Sequence, residues 1–245
     1  MKIENSIALV TGANRGIGRA IVLQLLAAGA AKIYATARDT AKLADLLETT
    51  GGRVEALQLD VTDANQVNAA AKTHDDITLL INNSGVAGFQ GLIAAADDET
   101  ARGEMETNYF GTLNMVRAFA PVLKANGGGA IVNLASMASY VNFPVIGSYS
   151  ASKAAVHSLT QGIRAELAAQ GTHVSGVYPG PINTEMAAGF PMDKTPTNVA
   201  ARAILDGVEA GDEEIYPDPL AVEMHAGFLG DPKAVERDAG TMLPG

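Results

Sequence analysis

The stretch that decides the fold is Ile7-Ala8-Leu9-Val10-Thr11-Gly12-Ala13-Asn14-Arg15-Gly16-Ile17-Gly18, near the start of the chain. An apolar run of four residues meets three glycines, and a helical pattern of apolar residues follows them directly. A glycine-rich turn between a strand and a helix points bare backbone N–H groups and the positive helix end toward an anion. We interpret the segment as a phosphate-binding turn, longer than the usual six-residue fingerprint; an ordinary turn with accidental glycines is the alternative.

Short apolar runs alternate with longer helical patterns along the whole chain. This alternation is typical of β-α-β crossovers, and runs that are apolar throughout are typical of strands covered on both faces. We predict a single-domain, Rossmann-type doubly wound α/β fold over residues 1–245, with about seven parallel strands and helices on both faces. The predicted strands are residues 7–10, 32–36, 54–59, 78–81, 130–134, 173–177 and 214–216. The predicted helices are residues 17–28, 40–49, 64–72, 99–125, 149–170 and 197–211.

One long stretch, residues 180–196, has no clear periodicity. Irregular loops of this length are often functional, so we predict a substrate-binding loop at residues 181–197. Its Met186, Phe190 and Met192 could line an apolar substrate pocket or pack as a plug on the core, and the sequence leaves both open. The tail from Pro217 onward is expected to pack over the domain rather than form another one.

The composition excludes several functional classes. Seventeen Lys and Arg against 27 Asp and Glu give a net charge of −10, which argues against nucleic acid and anionic membranes as partners. The chain has no cysteine and its four histidines are scattered, so we expect no disulfide and no metal site. The first apolar run is too short for a signal peptide, and no segment approaches the about 18 apolar residues of a spanning helix. We therefore expect a cytoplasmic protein.

Two arginines bear on the ligand of the predicted turn. Arg15 lies inside the turn, and Arg38 follows the second predicted strand, where NAD enzymes usually carry an acidic residue. Two guanidinium groups there could hold a 2′-phosphate, which predicts NADP(H) as the cofactor. The alternatives are that both are solvated surface residues, or that Asp39 pairs with Arg38.

A second constellation lies in the middle of the chain. Ser136 follows the predicted strand at residues 130–134, and Tyr149 and Lys153 are four positions apart, so they share one helix face. A neighbouring ammonium should lower the pKa of the phenol from its ordinary value of about 10, which suits a proton donor or acceptor. Ser136 could donate a hydrogen bond to a carbonyl oxygen held beside that phenol.

Together these motifs resemble those of the short-chain dehydrogenase/reductase family, over roughly residues 5–216. Ser136 precedes Tyr149 by thirteen positions, the usual family interval. Two features depart from the family: Ser84 stands where alanine is commoner, and the last strand lacks the glycine-rich ending of many 3-oxoacyl-carrier-protein reductases. The features that carry the resemblance are the turn at residues 11–18, Asn82-Asn83-Ser84-Gly85, Asn108, Ser136, Tyr149 with Lys153, Pro179-Gly180 and Thr184.

The resemblance implies a role for each matching residue. Tyr149 would be the general acid/base and Ser136 would polarise the substrate oxygen. Lys153 would lower the pKa of Tyr149 and hold the nicotinamide ribose, and Asn108 would support a proton relay. Asn108 could instead be only a helix-kinking polar residue, and Asp60 only a helix N-cap or turn residue. The implied cofactor-binding residues are Gly12, Asn14, Arg15, Gly16, Ile17, Gly18, Arg38, Asp60, Val61, Asn82, Ser84, Gly85, Tyr149, Lys153, Pro179, Gly180, Ile182 and Thr184.

The function expected from this reading is hydride transfer between NADP(H) and a small-molecule carbonyl or secondary alcohol, as in a carbonyl reductase. The missing glycine-rich ending favours this over a 3-oxoacyl-thioester reductase, which remains the alternative enzyme. A non-catalytic dinucleotide-sensing protein is the alternative outside enzymes. The resemblance also implies a homo-tetramer or homo-dimer that pairs through the helices near residues 99–125 and 149–170.

Overall fold

Seven parallel strands form one sheet in the computed structural model, which describes residues 1–244. Gly245, the last residue of the predicted domain, lies outside the described residues. The sheet order is β3-β2-β1-β4-β5-β6-β7, which confirms the predicted doubly wound arrangement. The strands are β1 (Ile7–Val10), β2 (Lys32–Ala37), β3 (Val54–Gln58), β4 (Leu79–Asn82), β5 (Ala130–Leu134), β6 (His173–Val177) and β7 (Glu214–Ile215).

Helices cover both faces of this sheet. Alternate residues of a strand point to opposite faces, so Ala8 and Val10 pack with helices on one face, whereas Leu9 packs with helices on the other. This two-sided burial is the reason that the strands read as apolar throughout. The helices are α1 (Gly16–Ala27), α2 (Ala44–Glu48), α3 (Ala64–Thr73), α4 (Glu99–Glu104), α5 (Gly111–Ala125), α6 (Gly147–Leu167), α7 (Thr197–Ala210), α8 (Pro219–Gly230) and α9 (Pro232–Ala239).

The strand order reverses between β1 and β4. Connections from these two strands run to opposite sides, which opens a crevice beyond their carboxyl ends, where α/β proteins bind ligands. The backbone N–H of Thr11 donates to the Ile81 carbonyl oxygen at 3.0 Å. The Thr11 hydroxyl oxygen in turn accepts from the backbone N–H of Asn83 at 2.9 Å. The glycine turn and the segment after β4 are therefore held together at this crevice.

The helix predicted over residues 99–125 is not uniform. A π-helical turn, Met105–Phe110, separates α4 from α5. A π-turn inserts one extra residue, so side chains after it are rotated relative to a continuous α-helix. Asn108 lies in this turn. The helix predicted at residues 40–49 likewise begins as a 3-10 turn, Thr40–Leu43, before α2.

The tail packs over the domain as expected, but it does so as two helices. Asp218 and Asp231 each precede a proline and cap the helix that follows. The Asp218 carboxylate accepts from the backbone N–H of Ala221 at 2.9 Å, and Asp231 accepts from Ala234 at 3.0 Å. An N-cap aspartate with proline at the first helical position is a helix-start signal. The two Asp-Pro pairs in the sequence therefore predict where both helices begin.

The hydropathy of the described helices bears on whether any of them could cross a membrane. Among residues 1–244, no helix is both long enough and apolar enough to span a bilayer.

Candidate active site

The backbone of the glycine turn adopts angles that favour glycine. Gly12 and Gly16 have φ angles of +64° and +56°, in the left-handed region that favours glycine. A Cβ atom on Gly18 would lie 2.4 Å from both the Gly12 carbonyl oxygen and the Asn83 side-chain nitrogen. Because α1 begins at Gly16, the unpaired N–H groups of its first turn face the crevice.

Replacing Gly18 with alanine is expected to destabilise the protein by about 2–3 kcal/mol. One of the atoms that the new methyl group meets is a backbone oxygen, so the turn must shift rather than a flexible side chain. Urea unfolding followed by circular dichroism measures the effect. Gly103→Ala is the control, because a Cβ atom there has no neighbour within 4 Å. Equal stabilities of the two variants would contradict the close approach at Gly18.

The structure adds Asn83 to the residues chosen from the sequence. Its side-chain amide donates to the carbonyl oxygens of Thr11 at 2.8 Å and Gly12 at 3.2 Å. The neighbouring Ser84 faces the same turn, and its Oγ would lie 3.1 Å from a Cβ atom on Gly12. Asn83 therefore fastens the turn to β4. Its position in the quoted Asn82-Asn83-Ser84-Gly85 motif was the signal that could have identified it.

Most of the predicted cofactor-binding residues line one cleft of about 800 Å³ along the carboxyl edge of the sheet. This volume lies within the range of small-molecule and cofactor sites. The predicted residues in its wall are Gly12, Asn14, Arg15, Gly16, Ile17, Arg38, Asp60, Val61, Ser84, Gly85, Tyr149, Lys153, Pro179 and Thr184.

Four predicted residues lie behind that wall. Gly18 is buried under the glycine turn, and Ile182 is 3% exposed. The Asn82 amide donates to the Asn133 side-chain oxygen at 2.9 Å within the sheet. The backbone N–H of Gly180 donates to Asp218 at 2.8 Å. These residues support the cleft from behind.

The two arginines both line the cleft, but they differ in their partners. Arg15 forms an ion pair with Glu185, which lies in the predicted substrate-binding loop. Arg38 has no ion-pair partner within residues 1–244. The Asp39 carboxylate instead caps the following 3-10 turn and accepts from the backbone N–H of Ala41 at 3.1 Å. The alternative in which Asp39 neutralises Arg38 is therefore not realised in this structure.

Asp60 is a turn residue that also borders the cleft. Its carboxylate accepts from the Thr62 backbone N–H at 3.0 Å and from the Thr62 hydroxyl at 2.8 Å. The N-cap of α3 is Asp63.

Lys153 is held in the interior beside Tyr149. Its Nζ lies 5.7 Å from the centroid of the Tyr149 ring, in agreement with the shared helix face that their spacing predicts. The same Nζ donates to the Leu134 carbonyl oxygen at 2.7 Å. Lys153 is 5% exposed, and burial lowers its pKa to about 8. Burial disfavours the charged form of a lysine, which accounts for the direction.

The predicted lowering of the Tyr149 pKa is wrong for this structure. The pKa of the phenol is raised to about 12, chiefly by burial and also by the Glu104 carboxylate, whereas the Ser136 hydroxyl acts in the opposite direction. Removing a phenolate from water costs more than the neighbouring groups recover. The Lys153 ammonium is directed at Leu134 instead.

Ser136 and Asn108 are placed by two different local structures. Ser136 caps the 3-10 turn Met137–Ser139 and accepts from the backbone N–H of Ala138 at 3.1 Å. The buried Asn108 side chain accepts from the Val86 N–H at 2.8 Å and donates to the Val86 carbonyl at 3.0 Å. Asn108 therefore fixes the loop after β4 from within the π-turn.

Two of the four predicted catalytic residues, Tyr149 and Lys153, line the cleft, and the other two, Asn108 and Ser136, lie next to them. Gly85 separates two of them: a Cβ atom there would lie 3.2 Å from the Asn108 side-chain oxygen and 3.4 Å from Lys153 Nζ. Ser136 acts on the Tyr149 phenol from the β5 side. A phenol, a hydroxyl and an ammonium grouped at a cleft can donate a proton to an oxygen atom and bind it. Within residues 1–244, no group of three or more His, Cys, Asp or Glu residues is placed to hold a metal ion.

The predicted substrate-binding loop also borders the cleft. Met186 lines the cleft and is 38% exposed, so it is not a plug in the core. Phe190 packs against Phe89, in the loop after β4, with ring centroids 5.5 Å apart. Met192 is 37% exposed. Apolar side chains of the loop after β4 and of the predicted substrate-binding loop are therefore in contact.

This fold and this cleft define a class of nucleotide-dependent enzymes, and comparison with known proteins identifies the family. The family model described as "short chain dehydrogenase" matches residues 6–195. The chain therefore belongs to the short-chain dehydrogenase family of oxidoreductases.

Several individual proteins resemble the chain closely. A crystal structure of a short-chain dehydrogenase from Burkholderia cenocepacia J2315, in complex with NADP, has 45% sequence identity and a TM-score of 0.92, over 98% of this chain and 99% of that one. Galactitol 2-dehydrogenase (L-tagatose-forming) from Cereibacter sphaeroides is 38% identical over 76% of this chain and 74% of its own. The 3-oxoacyl-(acyl-carrier-protein) reductase of Vibrio harveyi is 34% identical over 84% of this chain and 86% of its own.

Proposed function

We propose that the protein transfers a hydride between NADP(H) and a carbonyl compound or the corresponding secondary alcohol. The observation that carries this proposal is that Tyr149 and Lys153 line the same cleft as the glycine turn, with Asn108 and Ser136 next to them. A protein that only senses a dinucleotide has no need of a buried lysine beside a half-buried phenol in the cleft. Activity therefore explains the arrangement better than binding alone.

The residues that line the cleft fit NADP(H), a dinucleotide that carries a 2′-phosphate. Gly16, whose backbone lies in the left-handed region, begins α1 in the cleft wall, so the first N–H groups of that helix are available to an anion. Arg38, free of an ion pair within the described residues, and Arg15 would hold a 2′-phosphate, and Lys153 would hold the nicotinamide ribose. When bound, the dinucleotide supplies or accepts the hydride. The NADP complex of the Burkholderia cenocepacia relative supports this choice of cofactor.

Proton transfer is the part of the reaction that this chain's own residues perform. Burial and Glu104 hold the pKa of Tyr149 far above neutrality, so the phenol keeps its proton at physiological pH. A protonated Tyr149 is suited to donate to the oxygen of a carbonyl as the alcohol forms. Ser136 would donate a second hydrogen bond to the same oxygen and so orient it. This protonation state favours carbonyl reduction as the reaction seen near neutral pH.

The carbon skeleton of the substrate is proposed to be apolar. Met186, Met192 and the contacting rings of Phe89 and Phe190 offer carbon surface and few polar partners. Polyols need hydrogen-bond partners for each buried hydroxyl, and unpaired ones are costly. We propose these apolar loops as the substrate-binding surface.

The proposal is tested by following the absorbance of NADPH with a panel of carbonyl compounds. Aryl and alkyl ketones are expected to consume NADPH faster than open-chain sugars. If the protein binds NADPH but does not consume it with any of the carbonyl compounds, it is a sensor and the proposal fails.

A second candidate, 3-oxoacyl-thioester reductase, is favoured by the likeness to the Vibrio harveyi reductase. Acetoacetyl thioesters in the same assay separate the two. A kcat/KM higher for the thioester than for every simple ketone would favour this candidate.

Arg38→Asp is expected to lower kcat/KM with NADPH by about 10- to 100-fold, because a hydrogen bond to a charged group contributes about 1.5–3 kcal/mol. The value with NADH should change little, since NADH lacks the 2′-phosphate. Steady-state assays with both cofactors measure the ratio. Arg237→Asp, an exposed arginine on α9, is the control. A wild-type protein that prefers NADH would contradict this role for Arg38.

Assembly into a homo-tetramer or homo-dimer stays a prediction. The exposed Phe110, whose ring contacts Tyr109, lies on the predicted pairing helix and is a candidate contact. Light scattering of the purified protein gives the oligomeric state.

A further inference from the structure

The predicted substrate-binding loop is tied to the glycine turn by two adjacent contacts. Glu185 pairs with Arg15, and the two side chains are 74% and 64% exposed. The residues next to them also approach each other, because a Cβ atom on Gly16 would lie 3.3 Å from the Thr184 side chain. Both Arg15 and Glu185 line the cleft. The start of the loop therefore lies beside the first turn of α1, whose N–H groups are available to an anion.

The rest of this loop is held at its base and by one aromatic contact. The backbone N–H of Asn183 donates to the Thr195 carbonyl oxygen at 2.9 Å, and the N–H of Thr195 donates to the Pro181 carbonyl oxygen at 3.2 Å. Between these ends, the Phe190 ring contacts Phe89 in the loop after β4. Because the two ends of the loop are joined to each other, the contacts in between decide how closely the loop is held against the cleft.

Glu185 differs from the other acidic residues of the cleft in its partner. Three acidic residues line the cleft: Asp60, Glu106 and Glu185. The Asp60 carboxylate accepts from Thr62, and neither Asp60 nor Glu106 forms an ion pair within residues 1–244. Among these three, only Glu185 therefore holds an arginine that the cofactor phosphate would use. Glu106 carries the same charge in the same cleft without this pairing, which makes it a matched control.

An exposed ion pair of this kind yields to a stronger anion. Exposed pairs contribute little stability, because water solvates both partners. A phosphate monoester carries about two negative charges near neutral pH and offers three acceptor oxygens, so it attracts an arginine more strongly than one carboxylate does. The 2′-phosphate of NADP(H) is such a group, and NADH has none. If Arg15 stayed with Glu185 while it held the phosphate, the carboxylate and the phosphate would be brought together, and like charges repel.

We propose that Glu185 is a specificity-determining residue for the cofactor, which holds Arg15 while the 2′-phosphate is absent and releases it when NADP(H) binds. Release removes the ion pair between the substrate-binding loop and the glycine turn, so the 2′-phosphate also frees this end of the loop. NADH leaves the pair in place. The inference goes beyond hydride transfer, and it rests on the proposed function for the assignment of Arg15 to the 2′-phosphate.

The first test is Glu185→Gln, which keeps the size of the side chain and removes its charge. Binding of NADPH and of NADH, without any substrate, is followed by fluorescence titration. Because NADPH no longer has to displace a carboxylate, we expect it to bind about two- to fivefold more tightly to the variant, while the affinity for NADH stays the same. Glu106→Gln should leave the ratio of the two affinities where it is. An unchanged ratio in Glu185→Gln, or an equal change in Glu106→Gln, overturns the proposal.

The second test follows the loop itself, through tryptic cleavage after Lys194. Lys194 lies in the loop, and cleavage of a folded protein requires local opening. Adenosine 2′,5′-bisphosphate carries the 2′-phosphate but no nicotinamide that could cover the loop, so we expect it to speed this cleavage in the wild type. Adenosine 5′-monophosphate should have no effect. In Glu185→Gln the cleavage should be fast without either nucleotide. Mass spectrometry of the fragments measures the rate at this site.

The outcomes separate this proposal from the proposed function. Cleavage after Lys194 that the bisphosphate slows or leaves unchanged contradicts release of the loop. Equal affinity of the wild type for the two adenosine nucleotides refutes the 2′-phosphate site, and the proposal fails with it. Neither test contains a carbonyl compound, so absence of turnover with every carbonyl would refute hydride transfer and leave both results standing.

Discussion

Tyr149→Phe is expected to lower carbonyl reduction by about a thousandfold or more while the protein stays folded. The variant keeps the ring and loses only the oxygen that carries the proton. Ser136 can still donate a hydrogen bond to the substrate oxygen, but its hydroxyl has no acid strength to match the phenol. The measurement is NADPH consumption at saturating substrate, using the best carbonyl from the panel.

Two controls make the Tyr149→Phe result specific. NADPH binding, followed by fluorescence, should change little, because the substitution leaves the phosphate turn and both arginines of the cleft unchanged. Tyr109→Phe removes a hydroxyl from the π-turn and should leave turnover unchanged. Near-normal turnover by Tyr149→Phe would exclude Tyr149 as the proton donor.

Lys153→Met is expected to abolish activity and to make the protein more stable at pH 7. The pKa of Lys153 falls from 10.5 to about 8 on folding, so burying its charge costs about 3 kcal/mol. Methionine removes that cost, while the Leu134 carbonyl loses its donor, a loss of about 1–2 kcal/mol. The net gain in the free energy of unfolding is about 1–2 kcal/mol.

The stability difference between Lys153→Met and the wild type is expected to change with pH in a defined direction. Between pH 8 and 10.5 the unfolded wild type binds a proton at Lys153 that the folded protein has lost, so Lys153 makes the wild type more stable as pH rises. The advantage of Lys153→Met should therefore be largest below pH 8, disappear between pH 8 and 10.5, and reverse at higher pH, where only the lost hydrogen bond to Leu134 remains. Urea unfolding of both proteins at neutral and alkaline pH measures the difference. A variant that is less stable than the wild type at neutral pH would contradict the buried-charge cost.

Local sequence patterns predict much of the fold because they depend on interactions between residues that are close together in the chain. Strands buried on both faces must be apolar throughout, so β1, β4 and β5 were visible as short runs. A helix brings positions four apart together, so Tyr149 and Lys153 were correctly placed side by side. The glycines of the phosphate turn were readable because their backbone angles and close contacts admit no side chain. The Asp-Pro pairs before α8 and α9 carry an equally local helix-start signal.

The sequence by itself determined the order of strands and helices, the glycine turn and the spacing of the reacting residues, because each depends on neighbours along the chain. Only the tertiary structure decided the π-turn at Asn108, the partner of Arg15 and the burial of Glu104. It also decided the direction of the Tyr149 pKa. Ionisation depends on how much water and charge surround an atom in space, and those surroundings come from α4, β5 and α6 together, which no single stretch of sequence contains.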